Sequence, residues 1–136
     1  MTEPTIRYGW LRGMYAYTAA GSGLVGIGML TAPRQVALLL HMPEQDPAMF
    51  GLVASAYVAF GLLGLLGLRA PLRFAPILLL QMLYKIAWIV IVFLPLTARG
   101  QAGGYTLALA AVFLTYVVGD LIAIPFADLL SPNKPL

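Results

Sequence analysis

The sequence predicts an all-α integral membrane protein, a four-helix bundle with antiparallel neighbours. Composition is the first observation behind this. The chain of 136 residues is 61% hydrophobic and only 10% charged, where a soluble domain carries about 25% charged residues. Its mean hydropathy is +0.90. Distribution is the second. The apolar residues gather into four stretches, each close to the ~20 residues a helix needs to cross hydrocarbon. Backbone groups in lipid must be satisfied within the segment, and four strands cannot close a barrel, so each stretch reads as a helix. The chain 1–136 forms a single transmembrane domain.

The elements follow in order. Met1 to Tyr8 is polar, with Glu3 and Pro4, and lacks the basic-then-apolar order of a cleaved signal peptide. The first apolar run, 13–32, is therefore expected to be a retained span, uncharged but rich in glycine. The linker Pro33 to Pro47 has an apolar centre with polar edges, from Arg34 to Met42. This predicts a short interfacial helix, or a continuation of the first span, ended by Met42-Pro43. The second span covers 48–68, the third 76–96 and the fourth 105–127. Arg69 to Ala75 and Thr97 to Gly104 are short links, and short links make consecutive helices antiparallel neighbours. Pro76 opens the third span, where its missing N–H costs nothing. Pro95 comes at its end, and Pro125 is placed to kink or stop the fourth.

Gly21, Gly23, Gly26 and Gly28 thin the first span, and Gly61, Gly64 and Gly67 thin the second. Small residues let helices approach closely in lipid. The other reading is a groove for a flat or lipidic ligand.

Orientation follows from the basic residues. Arg7, Arg12, Arg69, Arg73 and Lys134 fall on one side, and Arg34 and Arg99 on the other. That bias places both termini in the cytoplasm. Tyr8 and Trp10 are then expected at the cytoplasmic interface and Tyr105 at the outer one.

Several chemistries are excluded by composition. There is no cysteine, hence no disulfide, thiolate metal site or cysteine nucleophile. His41 is the sole histidine, so two histidines of one chain cannot ligate haem. The net charge of +3 is spread thinly and reads as a topology signal, with no nucleic acid as partner. His41, Glu44 and Asp46 share the outer linker, but their spacing matches no metal motif and reads as a solvated loop. The glycine pairs of the first span lie in an apolar helix, which argues against a phosphate cradle. No catalytic residue and no metal ligand is assigned, and no cofactor is identified. The scattered methionines read as packing.

Lys85 is the most informative residue. It sits within the third apolar run, where Tyr84 is the only other ionisable side chain. Asp120 sits within the fourth. A charged group in the bilayer costs from ~2.5 to over 10 kcal/mol, so it marks a functional hypothesis and needs a partner. Asp120 is the partner expected for Lys85. Residues three or four apart share a helix face. Gln81, Lys85, Trp88 and Val92 make one such row, flanked by Tyr84. Phe113, Tyr116, Asp120 and Ile124 make a second, and Tyr15, Thr18 and Ser22 a third. Ser55 has only Gly51 and Ala59 beside it. The polar rows should face the bundle interior.

Depth bears on the pair. With the intervening turn centred near Gly100, Lys85 lies fifteen residues before it and Asp120 twenty after it. The mismatch is about 7.5 Å at ~1.5 Å per residue. The lysine stem leans towards its helix N-terminus, so a pair made directly or through one water is expected. Two readings stay open. The pair fixes helix register, or it holds a polar or anionic headgroup at Lys85 with help from Gln81, Tyr84 and Tyr116. A desolvated lysine also titrates more easily, but one acid–base pair is a short proton relay.

Gly21-Ser22-Gly23-Leu24-Val25-Gly26-Ile27-Gly28-Met29-Leu30-Thr31-Ala32-Pro33 and Phe60-Gly61-Leu62-Leu63-Gly64 carry a family resemblance. So do Leu83-Tyr84-Lys85-Ile86-Ala87-Trp88 and the segment Gly119 to Phe126. Together they resemble the DoxX-like group of small four-helix bacterial membrane proteins, over nearly the whole chain. The group takes its name from a quinol-oxidase subunit, and most members have no assigned activity. The resemblance implies a four-helix fold in the bacterial inner membrane. It transfers no catalytic residue.

Taken together, the expected protein is a multi-pass accessory or ligand-binding membrane protein, more a binder than an enzyme. Its partners are the lipid bilayer, a quinone or lipid ligand, and copies of itself or a larger membrane complex. Its polar centre is Lys85 and Asp120 with Gln81, Tyr84, Tyr116 and Trp88. The alternatives are a small oligomeric transporter or proton-coupled carrier, and a membrane enzyme using Asp120 or Lys85 as acid or base.

Overall fold

The computed structural model describes residues 5–132. Glu3, Pro4 and Lys134 lie outside the described residues. Six helical elements account for the fold. Helix α1 runs over 8–31, as α-helix Tyr8–Thr18, a π-helical turn Ala19–Gly23 and α-helix Leu24–Thr31. The short α2 is Pro33–Leu39 and α3 is Pro47–Arg69. Helix α4 is Ala75–Ala98, with a π-helical turn at Ile89–Phe93. Helix α5 is Gly104–Ala123 and the short α6 is Phe126–Leu129. No strand occurs among the described residues.

Local chemistry sets these boundaries. Asp46 caps α3, its carboxylate accepting from the Met49 N–H at 2.9 Å, and Pro47 follows at the first helical position. Pro95, expected at the end of the third span, lies inside α4, which runs on to Ala98. A proline there removes an N–H and crowds the carbonyl four residues back. The π turn immediately before it widens the helix where that crowding falls.

The fourth predicted stretch, 105–127, is broken at Pro125, the residue placed to kink or stop it. Helix α5 ends at Ala123, and Ile124 is extended (φ −69°, ψ 126°). The residue before a proline is pushed out of the helical region, and Pro125 does this to Ile124. The Phe126 N–H then donates to the Ile124 carbonyl. The Ile122 carbonyl accepts from Arg7 at 3.2 Å instead, a cation at a helix C-terminus.

Three helices, α3, α4 and α5, are long and apolar enough to cross a membrane. Large apolar side chains face outward along them, among them Leu62 at 58% exposure and Ile91 at 71%. Such an apolar exterior is foreign to a soluble monomer. Helix α1 has the length of a span but lower hydropathy, because tyrosines, Thr18, Ser22 and six glycines interrupt it.

Helix α1 packs on both α3 and α5, and α4 packs on α5. The α1–α3 seam is the closest. A Cβ on Gly61 would meet the Gly23 Cα and, at 2.9 Å, the Gly23 nitrogen; one on Gly26 would come within 2.9 Å of the Ala54 carbonyl oxygen. The glycines of both helices thus let backbone touch backbone.

The buried core is one-sided. Leu11, Met14, Tyr15, Leu78, Met82, Tyr116, Val117, Ala123 and Ile124 form it. They come from the first half of α1, the first half of α4 and the last half of α5. All lie at the end of the bundle where α1 begins and α5 ends. The Tyr15 hydroxyl, fully buried, donates to the Pro71 carbonyl at 2.5 Å and ties α1 to the α3–α4 link. Away from this core α1 and α3 stay in backbone contact through Gly23, Gly26 and Gly61. Cavities open between α1 and α5 and between α3 and α4, and this space is the candidate site.

Candidate functional site

The polar residues of the three predicted rows meet inside the bundle, but in two clusters. The first lies within the packed half. Gln81 of α4 donates through Nε2 to Asp120 Oδ2 of α5 at 3.0 Å and to Thr18 Oγ1 of α1 at 3.2 Å. The Thr18 hydroxyl donates to the Met14 carbonyl at 2.8 Å. Gln81, Thr18 and Asp120 are fully buried, and Asp120 Oδ1 has no hydrogen-bond partner.

The second cluster surrounds Lys85, one turn further along α4 and only 1% exposed. Its ammonium donates to the Tyr84 hydroxyl at 2.6 Å. The remaining neighbours are aromatic rings. The Nζ atom stands 4.3 Å from the Tyr84 centroid, 4.4 Å from Tyr116, 5.1 Å from Phe113 and 5.9 Å from Phe60. A cation over such rings gains from about 0.5 kcal/mol to 2 or more when desolvated. Three helices contribute to this cage: α3 through Phe60, α4 through Tyr84, and α5 through Phe113 and Tyr116.

The direct Lys85–Asp120 pair expected from the sequence is not formed. No ion pair within 4.0 Å joins them among the described residues. The reason is the depth mismatch. Counted from Gly100, Asp120 is level with Gln81, and Lys85 is level with Tyr116. The contacts fall at equal depth, and the lysine stem does not bridge the extra turn. A charge-swap variant, Lys85→Asp with Asp120→Lys, is accordingly expected to be no more stable than the worse single swap. Chemical unfolding in detergent measures this, and recovery in the double variant would restore the direct pair.

Tyr116 links the two ends of the site. Its ring stacks on Tyr17 at 4.1 Å and 11°, and its hydroxyl donates to the Tyr17 carbonyl at 3.2 Å. A Cβ on Gly21 would collide with that hydroxyl. The π turn of α1 begins at this point, and such turns recur where helices carry function. Trp88, the last predicted site residue, lies a turn beyond Lys85. Its ring meets Phe113 at 5.2 Å and Phe93 at 5.9 Å, and it does not touch the ammonium.

Two cavities open beside the lysine cage. One, about 240 Å³, lies between α1 and α5 and is lined by Lys85, Tyr17, Ser22, Val25, Val112 and Tyr116, among others. The other, about 590 Å³, lies between α3 and α4 against α5 and includes Phe60, Tyr84 and Trp88. Met42, Tyr57, Tyr105, Leu109 and Phe113 line both. The larger cavity extends to Pro43 and Gln45, at the loop end of the bundle. Apolar volumes of this size with a few polar groups are typical of small-molecule sites.

Phe60, Tyr57 and Tyr17 were not among the predicted site residues. Phe60 and Tyr57 lie on the glycine-spaced α3, and an aromatic there reads as packing until the α4 neighbours are known. Tyr105, predicted as an interfacial anchor, is half-buried and lines both cavities. The loop residues behave differently. The Asp46 carboxylate is used in capping α3, and His41 holds a left-handed turn (φ 54°). No group of three potential metal ligands occurs among the described residues.

In comparisons with protein-family models, with curated proteins and with solved structures, nothing matches the chain. The membrane character rests on its helices, and the site on its own geometry.

Proposed function

We propose that the protein binds an amphiphilic ligand, a quinone or a lipid, in the aromatic cavities beside Lys85, without catalysis of its own. The supporting observation is the setting of one side chain. Lys85 is a buried cation whose ring of aromatic faces borders two apolar cavities. A structural lysine of pure register value would be closed off by packing or by a carboxylate. Here the carboxylate is engaged one turn away with Gln81.

The proposal includes the architecture. All four long helices cross the membrane as a bundle, with α2 at its interface and both termini in the cytoplasm of a bacterial inner membrane. In that frame the cavities face the outer leaflet, and the protein is a DoxX-like accessory protein that works as an oligomer or within a larger membrane complex. The packed half supports binding over transport. Asp120 is fully buried there and lines neither cavity, so the acidic group offers no continuous polar path.

Native mass spectrometry of the protein released from mild detergent tests the reading. The expected result is a co-purifying lipid or quinone on the wild type, reduced several-fold in Lys85→Met. A bare wild-type mass that does not change on quinone or lipid addition would sink the proposal.

A further inference from the structure

We propose that the ligand's head group is anionic, a carboxylate or phosphate ester on an apolar chain, and that it completes the coordination of Lys85. This rests on the binding reading and names the chemistry of that same site. Three observations carry it.

The first is donor count. An ammonium has three N–H donors, and only the Tyr84 hydroxyl accepts from Lys85. The other contacts are ring faces, which stabilise a cation without supplying a lone pair. Buried charges are otherwise paired, and no carboxylate lies within 4.0 Å of Nζ among the described residues.

The second is the lining. Neither cavity is lined by any Asp or Glu. The polar side chains that open onto them include Tyr57 and Tyr105, whose hydroxyls have no hydrogen-bond partner among the described residues. The free capacity at this site therefore combines hydroxyls that can donate with a positive charge and no carboxylate. It suits an acceptor-only head and repels a cationic one.

The third is shape. The rest of both cavities is apolar and aromatic, and the smaller one, which Lys85 itself lines, also takes in Leu40 and Met42 beside the loop. One chain can lie there while its head reaches the ammonium. A neutral quinone carbonyl would accept a hydrogen bond but leave the charge uncompensated. An anion forms a short, charge-assisted bond instead.

The test uses the full chain in nanodiscs of neutral phosphatidylcholine. Trp10 and Trp88 are the two tryptophans. In a Trp10→Phe background, Trp88 reports on the site through its contact with Phe113, which lines both cavities. Four probes are titrated: palmitate, methyl palmitate, acetate and a short-chain ubiquinone analogue. Palmitate is expected to bind at least tenfold tighter than its methyl ester. Lys85→Met should bring that ratio close to one while the ester still binds. The apolar replacement relieves a buried charge and is expected to fold, which helical circular dichroism and a monodisperse elution check. Tyr57→Phe should weaken palmitate a few-fold.

Equal binding of palmitate and its ester would overturn the anionic head and leave the cavity reading standing. So would a quinone that outcompetes palmitate and depends on Lys85. Acetate binding as tightly as palmitate would overturn the amphiphile and point to a free anion. Failure of all four probes would remove the binding reading as well.

Discussion

Gly61→Leu is expected to be the most destabilising substitution in the α1–α3 seam. A Cβ at Gly61 would run into the Gly23 Cα and lie 2.9 Å from the Gly23 nitrogen. Both obstacles are backbone, so no rotamer change relieves them. The two helices must separate, and the neighbouring Gly26 contact with Ala54 and Val58 opens with them. Overpacking of a close interface costs ~1–3 kcal/mol and occasionally more. The expected loss is about 3 kcal/mol, read as a lower midpoint in SDS titration. Gly51 lies on the same helix with nothing within 4 Å of its Cβ position. Gly51→Leu should stay within about 0.5 kcal/mol of wild type. Equal tolerance at both positions would mean that the helices do not approach as described.

Gln81→Leu is expected to be nearly as costly, for an electrostatic reason. Gln81 is the sole hydrogen-bond donor to Asp120 among the described residues, since Oδ1 is already without one. The substitution leaves both carboxylate oxygens buried and unpartnered. Hydrogen bonds to charged groups are worth ~1.5–3 kcal/mol, and an orphaned buried charge adds its desolvation cost. A loss of about 3 kcal/mol is expected. The second substitution Asp120→Leu should recover most of it, because replacing a whole buried polar set by apolar groups is often neutral. A double variant as unstable as the sum of the singles would show that Asp120 draws its stability from elsewhere, Lys85 included.

These two substitutions separate the roles of the conspicuous residues. The glycines act in packing, which favours the first of the two readings their spacing allowed. Gln81, Thr18 and Asp120 hold α1, α4 and α5 at one register. Lys85 stands apart from that set, among aromatic rings beside the smaller cavity.

Much of this was legible in the chain. Charge scarcity and the four apolar stretches indicate a helical membrane protein, because the cost of burying charge and backbone in lipid is large and local. The start of the second span beside Pro47 and the break near Pro125 were also readable, since proline acts on its immediate neighbours, whereas the Asp46 cap was not. The helical spacing of Gln81, Lys85, Tyr116 and Asp120 marked them as interior. Their pairing was less legible. The same count from Gly100 puts Gln81 level with Asp120, yet opposite charge suggested Lys85 instead. The attraction between unlike charges was given a reach that the lysine stem does not use.

What the sequence by itself determined is the class of element and its solvent: long apolar helices, with a polar stripe that lipid cannot accept. These depend on composition and on periodicity within one helix. Only the tertiary structure decided that the polar stripe divides in two, that Phe60 and Phe113 join Tyr84 and Tyr116 around one ammonium, and that cavities are left beside that cage while α1 and α3 touch. Those outcomes depend on the relative depth and spread of different helices. Close glycine contacts, two π-helical turns and one hydroxyl tie to Pro71 set them, and each requires a partner far away in the chain.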